Sequence, residues 1–256
     1  MPLPRLYADL AWLWPHLSPP SDYAAEAAQF DALLTEHLGP GPQHVLELGA
    51  GGGHTLVHLD ARAHPSYGRG RHHTAAVDLS PAMLAHAAKL IPGLAVHTAD
   101  MRSLNLGETF DAILLHDAVD YLLSEDDLDR TFAAARAHLR PGGLLFVAPT
   151  YYRETFVAHD VAADVADADG RPVPFFTHVH DPDPADTTVE MRNLILLPDA
   201  SDKSGRNGFT TVEDRHVLGL FPYETWTTRL EAAGFADVRP VEPEGDAAWE
   251  LLLGRA

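Results

Sequence analysis

Hydrophobic residues between positions 43 and 149 form short runs that alternate with helical patterns. The short runs predict buried β-strands at Val45–Leu48, Ala75–Val77, Leu94–Thr98, Phe110–Leu115 and Leu144–Ala148. The stretches with helical spacing predict helices near residues 54–61, 81–90 and 125–139. This alternation is typical of βαβ units, so we predict an α/β fold with a doubly wound, mainly parallel sheet. Right-handed crossovers then place the strand C-termini, and with them a ligand crevice, at one edge of the sheet.

The N-terminal part of the chain has a different pattern, which predicts a helical lid over residues 1–40. An aromatic segment, Tyr7–Trp14, is followed by a proline-rich stretch and then by the periodic apolar segment Tyr23–Leu38. We interpret the two segments as helices around a hinge. Ser21 or Asp22 can cap the second helix, because a short polar side chain accepts a hydrogen bond from a free backbone N–H group.

Residues 151–220 lose the βαβ alternation and predict an inserted antiparallel β cap for substrate binding. An acidic stretch of small residues, Asp160–Gly170, precedes two strand-like runs at Thr187–Leu197 and Phe209–Leu218. The polar segment Asp199–Gly208 predicts the turn between these two strands.

The last part of the chain, residues 221–256, returns to the pattern of the core. It predicts a helix at Pro222–Ala233 and strands at Ala236–Val241 and Ala248–Leu253. Added to the ligand-binding core over residues 41–150, these elements complete a sheet of seven strands.

Composition and charge narrow the range of partners. A chain of 256 residues with 46% hydrophobic content can bury one good core. It has no run of about 18 apolar residues, and its start lacks the basic and apolar regions of a secretory signal, so we expect a cytoplasmic chain without a membrane partner. Eighteen basic against 37 acidic side chains give a net charge of −19, which opposes nucleic acids and anionic lipids. We therefore expect no nucleic-acid partner.

The same composition argues against metal chemistry. The absence of cysteine excludes thiolate ligands, disulfides and a cysteine nucleophile. The sixteen histidines include the pairs His72-His73 and His178-x-His180, but none has the helical spacing of an H-E-x-x-H motif. We therefore expect no metal site.

A glycine-rich turn follows the first predicted strand, in the sequence Val-Leu-Glu-Leu-Gly-Ala-Gly-Gly-Gly-His-Thr at 45–55. Its alternating glycines lack Cβ atoms where the backbone must turn sharply and approach a ligand. A dinucleotide-binding turn has the pattern G-x-G-x-x-G/A, whereas here the sixth position is His54 and an acid, Glu47, enters the turn. Because this acid repels phosphate, the turn favours a cationic or zwitterionic nucleoside.

Five short motifs occur in order along the core. They are Glu47–Gly53, Val77–Leu84, Ala99–Arg102, Phe110–Asp117 and Leu139–Gly143. Together they resemble the motifs of the class I S-adenosylmethionine (SAM)-dependent methyltransferases, and the resemblance is strongest over residues 40–150. It implies a Rossmann-like methyltransferase fold, SAM as cofactor and S-adenosylhomocysteine as product.

The resemblance also implies which residues bind the cofactor. The expected set is Tyr7, Tyr23, Glu47, Gly49, Gly51, Asp78, Leu79, Met83, Asp100, Met101 and His116.

For three acids of this set, the resemblance suggests a role in cofactor binding, and a purely structural role is the alternative. Asp78 would accept hydrogen bonds from the ribose diol, or else cap the following helix together with Ser80. Asp100 would accept from the adenine amino group while Met101 packs against the base, or else be a solvated acid in a turn. Glu47 would favour the cofactor's amino group, or else order the turn by bonds to local amides.

Aromatic residues near the N-terminus are candidates for covering the cofactor. Tyr7, Trp12, Trp14 and Tyr23 would form an aromatic lid that stabilises the sulfonium through its ring faces, or else simply pack in the core.

Three residues are candidates for catalysis. His116, at the end of the fourth predicted strand, is the best base, with a bond to the cofactor or a packing role as alternatives. Tyr121 would orient the acceptor or pack as an ordinary aromatic. His216 alternates with Asp214 along a predicted strand, so both side chains face one side, where they would line the acceptor pocket or be solvated.

These features predict an enzyme that methylates a small-molecule acceptor, an amine or a hydroxyl, in secondary metabolism. The resemblance within the family is to amino-sugar N-methyltransferases, although no motif specifies the acceptor. The Asn/Asp-Pro-Pro-Tyr/Phe motif of many nucleobase and amide methyltransferases is absent after the fourth strand. The alternatives are a nicotinamide-dependent reductase and a non-catalytic SAM-binding relative. The sequence is compatible with a homodimer.

Overall fold

The computed structural model describes residues 3–68, 70–198, 208–241 and 250–256. The strands, numbered along the chain, are β1 His44–Leu48, β2 His73–Asp78, β3 Ala95–Thr98, β4 Phe110–His116, β5 Leu139–Ala148, β6 Asp160–Asp167, β7 Pro172–His180, β8 Thr188–Pro198, β9 Phe209–Gly219, β10 Ala236–Val241 and β11 Leu251–Arg255. The α-helices are α1 Trp14–Leu17, α2 Ala24–Leu38, α3 Leu56–Leu59, α4 Pro81–Leu90, α5 Glu125–Ala137 and α6 Tyr223–Ala232.

The larger sheet has seven strands in the order β10-β11-β5-β4-β1-β2-β3. Strands β1 to β5 pair in parallel, and β11 pairs antiparallel with both β5 and β10. The predicted doubly wound, mainly parallel seven-stranded sheet is therefore confirmed. Strand order reverses between β1 and β4, and this is the place where open α/β sheets bind ligands.

Helices cover both faces of this sheet because the strands are apolar on both sides. On one face, Phe132 of α5 and Trp226 of α6 pack against Leu46 of β1. On the other face, Phe30 of α2 packs against Val45 and Phe146. Within the described residues, no helix is long and apolar enough to cross a membrane.

Three local predictions for the helices are wrong. The helix expected over Tyr7–Trp14 is replaced by two 3-10 turns, Arg5–Tyr7 and Ala11–Leu13, followed by the single-turn helix α1. The helix expected near 54–61 is reduced to the single turn α3, because Asp60 is extended and its carboxylate accepts hydrogen bonds from the N–H and hydroxyl groups of Thr74. The helix α2 starts at Ala24 without a side-chain cap from Ser21 or Asp22. A 3-10 turn at Pro20–Tyr23 leads directly into it.

The second sheet is antiparallel, in the order β6-β7-β8-β9, which confirms the inserted hairpins. Its first two strands, β6 and β7, were not predicted individually. Strand β6 is exposed along almost its whole length, so its residues do not alternate between buried and exposed positions. In the predicted turn Asp199–Gly208, residues 199–207 lie outside the described residues. So do residues 248 and 249 of the last predicted strand, which the structure shows as β11.

The N-terminal segment lies against the inner face of the antiparallel sheet. Leu6 and Leu13 share a buried cluster with Val173 and Ile195. The two N–H groups of Arg5 and Leu6 donate to the carboxylate of Asp214, each over 2.8 Å. This packing brings the N-terminal aromatic residues over the switch point of the large sheet. The division of the chain into lid, core, cap and C-terminal units stays a prediction.

Candidate active site

A pocket opens at the C-terminal ends of β1, β2 and β4, beneath the N-terminal segment. Eleven of the predicted site residues line it: Tyr7, Tyr23, Glu47, Gly49, Gly51, Asp78, Leu79, Met83, Met101, His116 and Tyr121. Asp100 and His216 are not in its wall. The sequence therefore predicted half of the residues that line this pocket, from segments that lie far apart in the chain.

The glycine turn after β1 forms the floor of the pocket. The N–H groups of Gly49 and Ala50 both donate to the carbonyl of Val77, over 2.8 and 2.9 Å, which ties the turn to β2. Gly49 has a φ of +72°, and a Cβ atom at this position would lie 2.0 Å from the Cβ of Ala118. Glycine is therefore required here for its backbone conformation and for its lack of a side chain.

Asp78 connects this turn to the start of α4. Its Oδ2 accepts from the N–H of Gly51 over 2.8 Å, and its Oδ1 accepts from the N–H of Ser80 over 2.7 Å. The hydroxyl of Ser80 accepts from the N–H of Met83, so Ser80 is the residue that caps the helix. A carboxylate has about four acceptor sites, so after the backbone bonds from Gly51, Ser80 and Leu79 it keeps acceptor capacity for a ribose hydroxyl. Burial raises the pKa of Asp78.

Asp100 lies behind the wall rather than in it. Its carboxylate accepts from Nε of Arg102 over 2.9 and 3.1 Å and from Nη2 over 2.7 Å. These hydrogen bonds lower the pKa of Asp100. Arg102 also reaches Asp127 at the start of α5, over 3.1 Å. Met101, the next residue along the chain, does line the pocket. The packing of Met101 against the adenine base and the hydrogen bond from the adenine amino group to Asp100 stay predictions.

Glu47 brings a buried carboxyl group to the pocket. Burial, together with the negative charges of Asp117 and Asp78, raises its pKa well above the usual range. Its Oε2 has no hydrogen-bond partner among the described residues. A buried polar atom without a partner costs free energy. A cationic amino group in the pocket would supply the partner and would favour the ionised form of the carboxyl group. This orphaned oxygen and the glycine floor fit the amino group and the nucleoside of SAM.

His116 lies between two carboxyl groups that come from different elements. Its Nδ1 is 3.0 Å from Oε1 of Glu26 on α2, and its Nε2 is 3.1 Å from Oδ1 of Asp117. Burial lowers the pKa of His116 and raises the pKa of Glu26 to about 9, the latter with help from the negative charges of Asp117 and Glu47. The Glu26 carboxyl is therefore protonated at neutral pH.

Asp117 was not predicted as a site residue, although it belongs to one of the five motifs. Its φ of +47° lies in a region that residues other than glycine rarely adopt. Its side chain is 50% exposed and lines the pocket. Its negative charge contributes to raising the pKa values of Tyr7, Tyr23 and Glu26. Strained backbone of this kind is common where a side chain must be aimed at a ligand.

The buried Glu26 carboxyl leads to a prediction about stability. The folded protein keeps this proton up to about pH 9, whereas an unfolded glutamic acid releases it near pH 4.5. The free energy of unfolding should therefore fall as the pH rises through this range. We expect Glu26→Gln to flatten the fall and to raise the free energy of unfolding by about 2–3 kcal/mol at neutral pH.

Urea unfolding at several pH values measures this effect. Glu36→Gln is the matched control, since Glu36 lies on the same helix with a side chain that is 66% exposed. The same pH dependence in the Glu26 variant and the wild type would contradict the assignment of a buried, protonated carboxyl.

Tyr121, His216 and Asp214 form a hydrogen-bonded chain that leads from the pocket wall into the buried space behind it. The hydroxyl oxygen of Tyr121 lies 2.6 Å from Nδ1 of His216 and 3.0 Å from the hydroxyl of Tyr7. Nε2 of His216 lies 3.1 Å from Oδ2 of Asp214. The prediction that Asp214 and His216 face the same side of a strand is confirmed, but His216 reaches the pocket only through Tyr121.

Three of the four predicted lid aromatics meet at the pocket, and one does not. The ring of Tyr7 lies edge-on to Trp14 and Tyr121, with centroids 5.5 and 5.8 Å apart. Tyr23 lines the same wall. Trp12 is 45% exposed and is outside the pocket wall, so for this residue both a cofactor contact and a core position are wrong.

Comparison with known proteins agrees with this geometry. A family model described as a methyltransferase domain matches residues 45–143. A dTDP-3-amino-3,4,6-trideoxy-alpha-D-glucopyranose N,N-dimethyltransferase of Streptomyces venezuelae is 32% identical over 83% of each chain. A dTDP-3-amino-3,6-dideoxy-alpha-D-glucopyranose N,N-dimethyltransferase of Streptomyces fradiae is 30% identical over 93% of this chain and 88% of its own.

Solved structures show the same likeness. Streptomyces venezuelae DesVI superposes with a TM-score of 0.78 and 29% identity over 97% of both chains. The sugar N-methyltransferase KedS8 from Streptoalloteichus sp. gives a TM-score of 0.78 and 29% identity, covering 100% of this chain and 94% of its own.

The fold, the glycine floor and these comparisons define a class. The chain belongs to the SAM-dependent methyltransferase family, and SAM is its methyl donor. Within this family it is of the small-molecule type, similar to enzymes that methylate amino sugars. The nicotinamide-dependent reductase is therefore no longer a candidate.

Proposed function

We propose that this enzyme transfers methyl groups from SAM to the amino group of an amino sugar, in two successive steps. The relatives at 30–32% identity carry out N,N-dimethylation of such sugars. The observation that carries the proposal is that one pocket combines the glycine turn after β1 as its floor with a polar wall. This wall contains Tyr7, Tyr121, His116 and Asp117.

An amine suits this wall better than a hydroxyl. The half-exposed carboxylate of Asp117 attracts an ammonium group, whereas a neutral hydroxyl gains little from a nearby negative charge. His116 and Tyr121 lie on the same wall and can hydrogen-bond an amine that has lost a proton. The polar wall therefore can attract, orient and deprotonate the acceptor.

The residues around the pocket divide the work of the reaction. SAM supplies an electrophilic methyl group on a positively charged sulfur. Asp78, the floor glycines and Glu47 would hold the nucleoside and the amino group of the cofactor. The rings of Tyr7, Trp14 and Tyr23 exclude water and stabilise positive charge through their faces. Alignment of the amine with the methyl group supplies most of the acceleration.

A product analysis tests the proposal. The protein is incubated with SAM and dTDP-3-amino-3,6-dideoxy-alpha-D-glucopyranose, or with SAM and the matching sugar that carries a 3-hydroxyl group. The masses of the products are measured by mass spectrometry. We expect the amine to gain one and then two methyl groups, and the hydroxyl sugar to gain none.

Other outcomes point to other functions. Methylation of the hydroxyl sugar alone would contradict the amine acceptor. Tight SAM binding without any product from amine, phenol or carboxylate acceptors would support a non-catalytic SAM-binding relative. The homodimer and the cytoplasmic location stay predictions, and light scattering of the purified protein measures the first of them.

A further inference from the structure

A methyltransferase that acts on an amine must remove a proton before each methyl transfer. An ammonium nitrogen has no lone pair, so it cannot attack the methyl group. A charge-neutral amine has one, and after the transfer the nitrogen is again positively charged. Below the pH at which solvent deprotonates the amine, a group that takes up this proton is expected within hydrogen-bond reach of the acceptor.

We infer that Tyr121, His216 and Asp214 form a proton relay, in which the hydroxyl of Tyr121 receives the acceptor's proton and His216 stores it. The inference rests on the proposed amine acceptor. Tyr121 lines the pocket, whereas the side chain of His216 is 1% exposed and that of Asp214 is 4% exposed. The histidine therefore exchanges protons with the pocket through the tyrosine alone.

The hydrogen bonds determine which nitrogen of His216 accepts the proton. The hydrogen bonds from His216 and from the N–H groups of Leu6 and Arg5 outweigh burial and lower the pKa of Asp214, so this carboxylate is ionised and can only accept. Nε2 of His216 must then carry a hydrogen. In the neutral ring Nδ1 is free to accept, and it faces the hydroxyl of Tyr121 at 2.6 Å.

The hydroxyl of Tyr121 has one hydrogen and two acceptors within reach. When His216 is neutral, Tyr121 donates to its Nδ1. When His216 is protonated, Nδ1 donates to the oxygen of Tyr121, and Tyr121 donates to Tyr7 over 3.0 Å. Both states are satisfied by the same geometry. This property is what a relay requires and what a purely structural hydrogen bond does not need.

The proton balance is complete. The acceptor's N–H proton moves to the oxygen of Tyr121 as the tyrosine's own proton moves to Nδ1 of His216. The acceptor becomes a free amine, the tyrosine is neutral again, and the imidazolium is paired with Asp214. After the product leaves, the proton returns through Tyr121 to the open pocket.

Acidic side chains face the relay from several elements of the fold. Tyr121 is faced by Tyr7 from the N-terminal segment and by Asp117 and Asp120 from its own turn. Asp214 is faced by His216 on its own strand and by Arg5, whose side chain is held by Asp9. The negative charges around the pocket favour arrival of a proton, and the ionised Asp214 stabilises it on the ring.

Variants of Tyr121 and His216 test the relay. His216→Gln and Tyr121→Phe are compared with the matched control His178→Gln, which lies on β7 of the same sheet. The initial rate with saturating SAM and dTDP-3-amino-3,6-dideoxy-alpha-D-glucopyranose is measured from about pH 7 to about pH 10. We expect kcat of both relay variants to fall roughly 100-fold at neutral pH.

The pH dependence separates a relay from a structural role. As the pH rises through the titration of the amine itself, solvent supplies the free amine, and we expect the relay variants to recover to within about threefold of the wild type. A loss of the same size at every pH, or no loss at all, would overturn the inference. Calorimetry with SAM checks that each variant still folds and binds the cofactor.

A second measurement needs no acceptor. Nitrogen-15 NMR of labelled histidine reports which ring nitrogen carries the hydrogen. We expect the neutral ring of His216 to carry it on Nε2, and a hydrogen on Nδ1 would overturn the relay. If the wild type methylates no amine while this tautomer is found, the proposed function fails and the hydrogen-bond arrangement of the relay stands.

Discussion

Replacing Asp78 by alanine is expected to weaken SAM binding by about 1–3 kcal/mol, a loss of roughly five- to 150-fold in affinity. The carboxylate is the charged partner predicted for the ribose diol, and it also holds the N–H groups of Gly51 and Ser80. Its removal therefore takes away a ligand contact and loosens the turn that shapes the pocket floor. Isothermal titration calorimetry with SAM measures the change.

Two further variants show which part of the effect belongs to the ligand. Asp78→Asn keeps one oxygen and the shape of the side chain, so we expect a smaller loss. Asp129→Asn is the control for an acid outside the pocket wall, where it is paired with Arg229. An Asp78→Ala variant that binds SAM as tightly as the wild type would show the ribose assignment to be wrong.

Gly49→Ala should destabilise the fold by about 2–4 kcal/mol and abolish SAM binding. About 1 kcal/mol of this comes from the left-handed backbone, and about 1–3 kcal/mol from overpacking, because the new Cβ would lie 2.0 Å from the Cβ of Ala118. Gly107→Ala is the matched control, since Gly107 has a φ of +71° and nothing within 4 Å.

The two parts can be separated by urea unfolding. The Gly107 variant should lose only the backbone part of the stability. In the double variant Gly49→Ala with Ala118→Gly, removal of the opposing methyl group should restore much of the overpacking part. Equal losses in the Gly49 and Gly107 variants would contradict the close packing of the turn against Ala118.

The architecture was predictable because its determinants are local. Each core strand is a short apolar run with a turn after it. The glycines of the turn after β1 by themselves indicate that the backbone approaches a ligand closely, because they lack Cβ atoms. Short motifs at the ends of strands converge on one edge because parallel strands share their direction. This is why Gly49, Asp78 and Met101 were predicted from separate parts of the chain and line one pocket.

The electrostatics of the site were not predictable in the same way. Glu26 reads as an ordinary acid in the first turn of a helix, and only the packing of α2 on the sheet brings it to His116. Asp117 follows His116 in the sequence, but nothing in the pattern indicates its left-handed backbone. The edge strand β6 was missed since both of its faces are exposed. The position of Glu26, in particular, depends on a contact between distant segments, which no local pattern contains.

The bonds from the backbone of Arg5 and Leu6 to Asp214 join positions 209 and 208 residues apart. Because the chain is synthesised from its N-terminus, the N-terminal segment that covers the pocket cannot form these bonds until β9, which contains Asp214, has been synthesised. The other support of the segment comes from the same sheet, because Leu6 and Leu13 pack in the buried cluster with Val173 and Ile195. The N-terminal segment is therefore expected to be among the last parts of the fold to assemble.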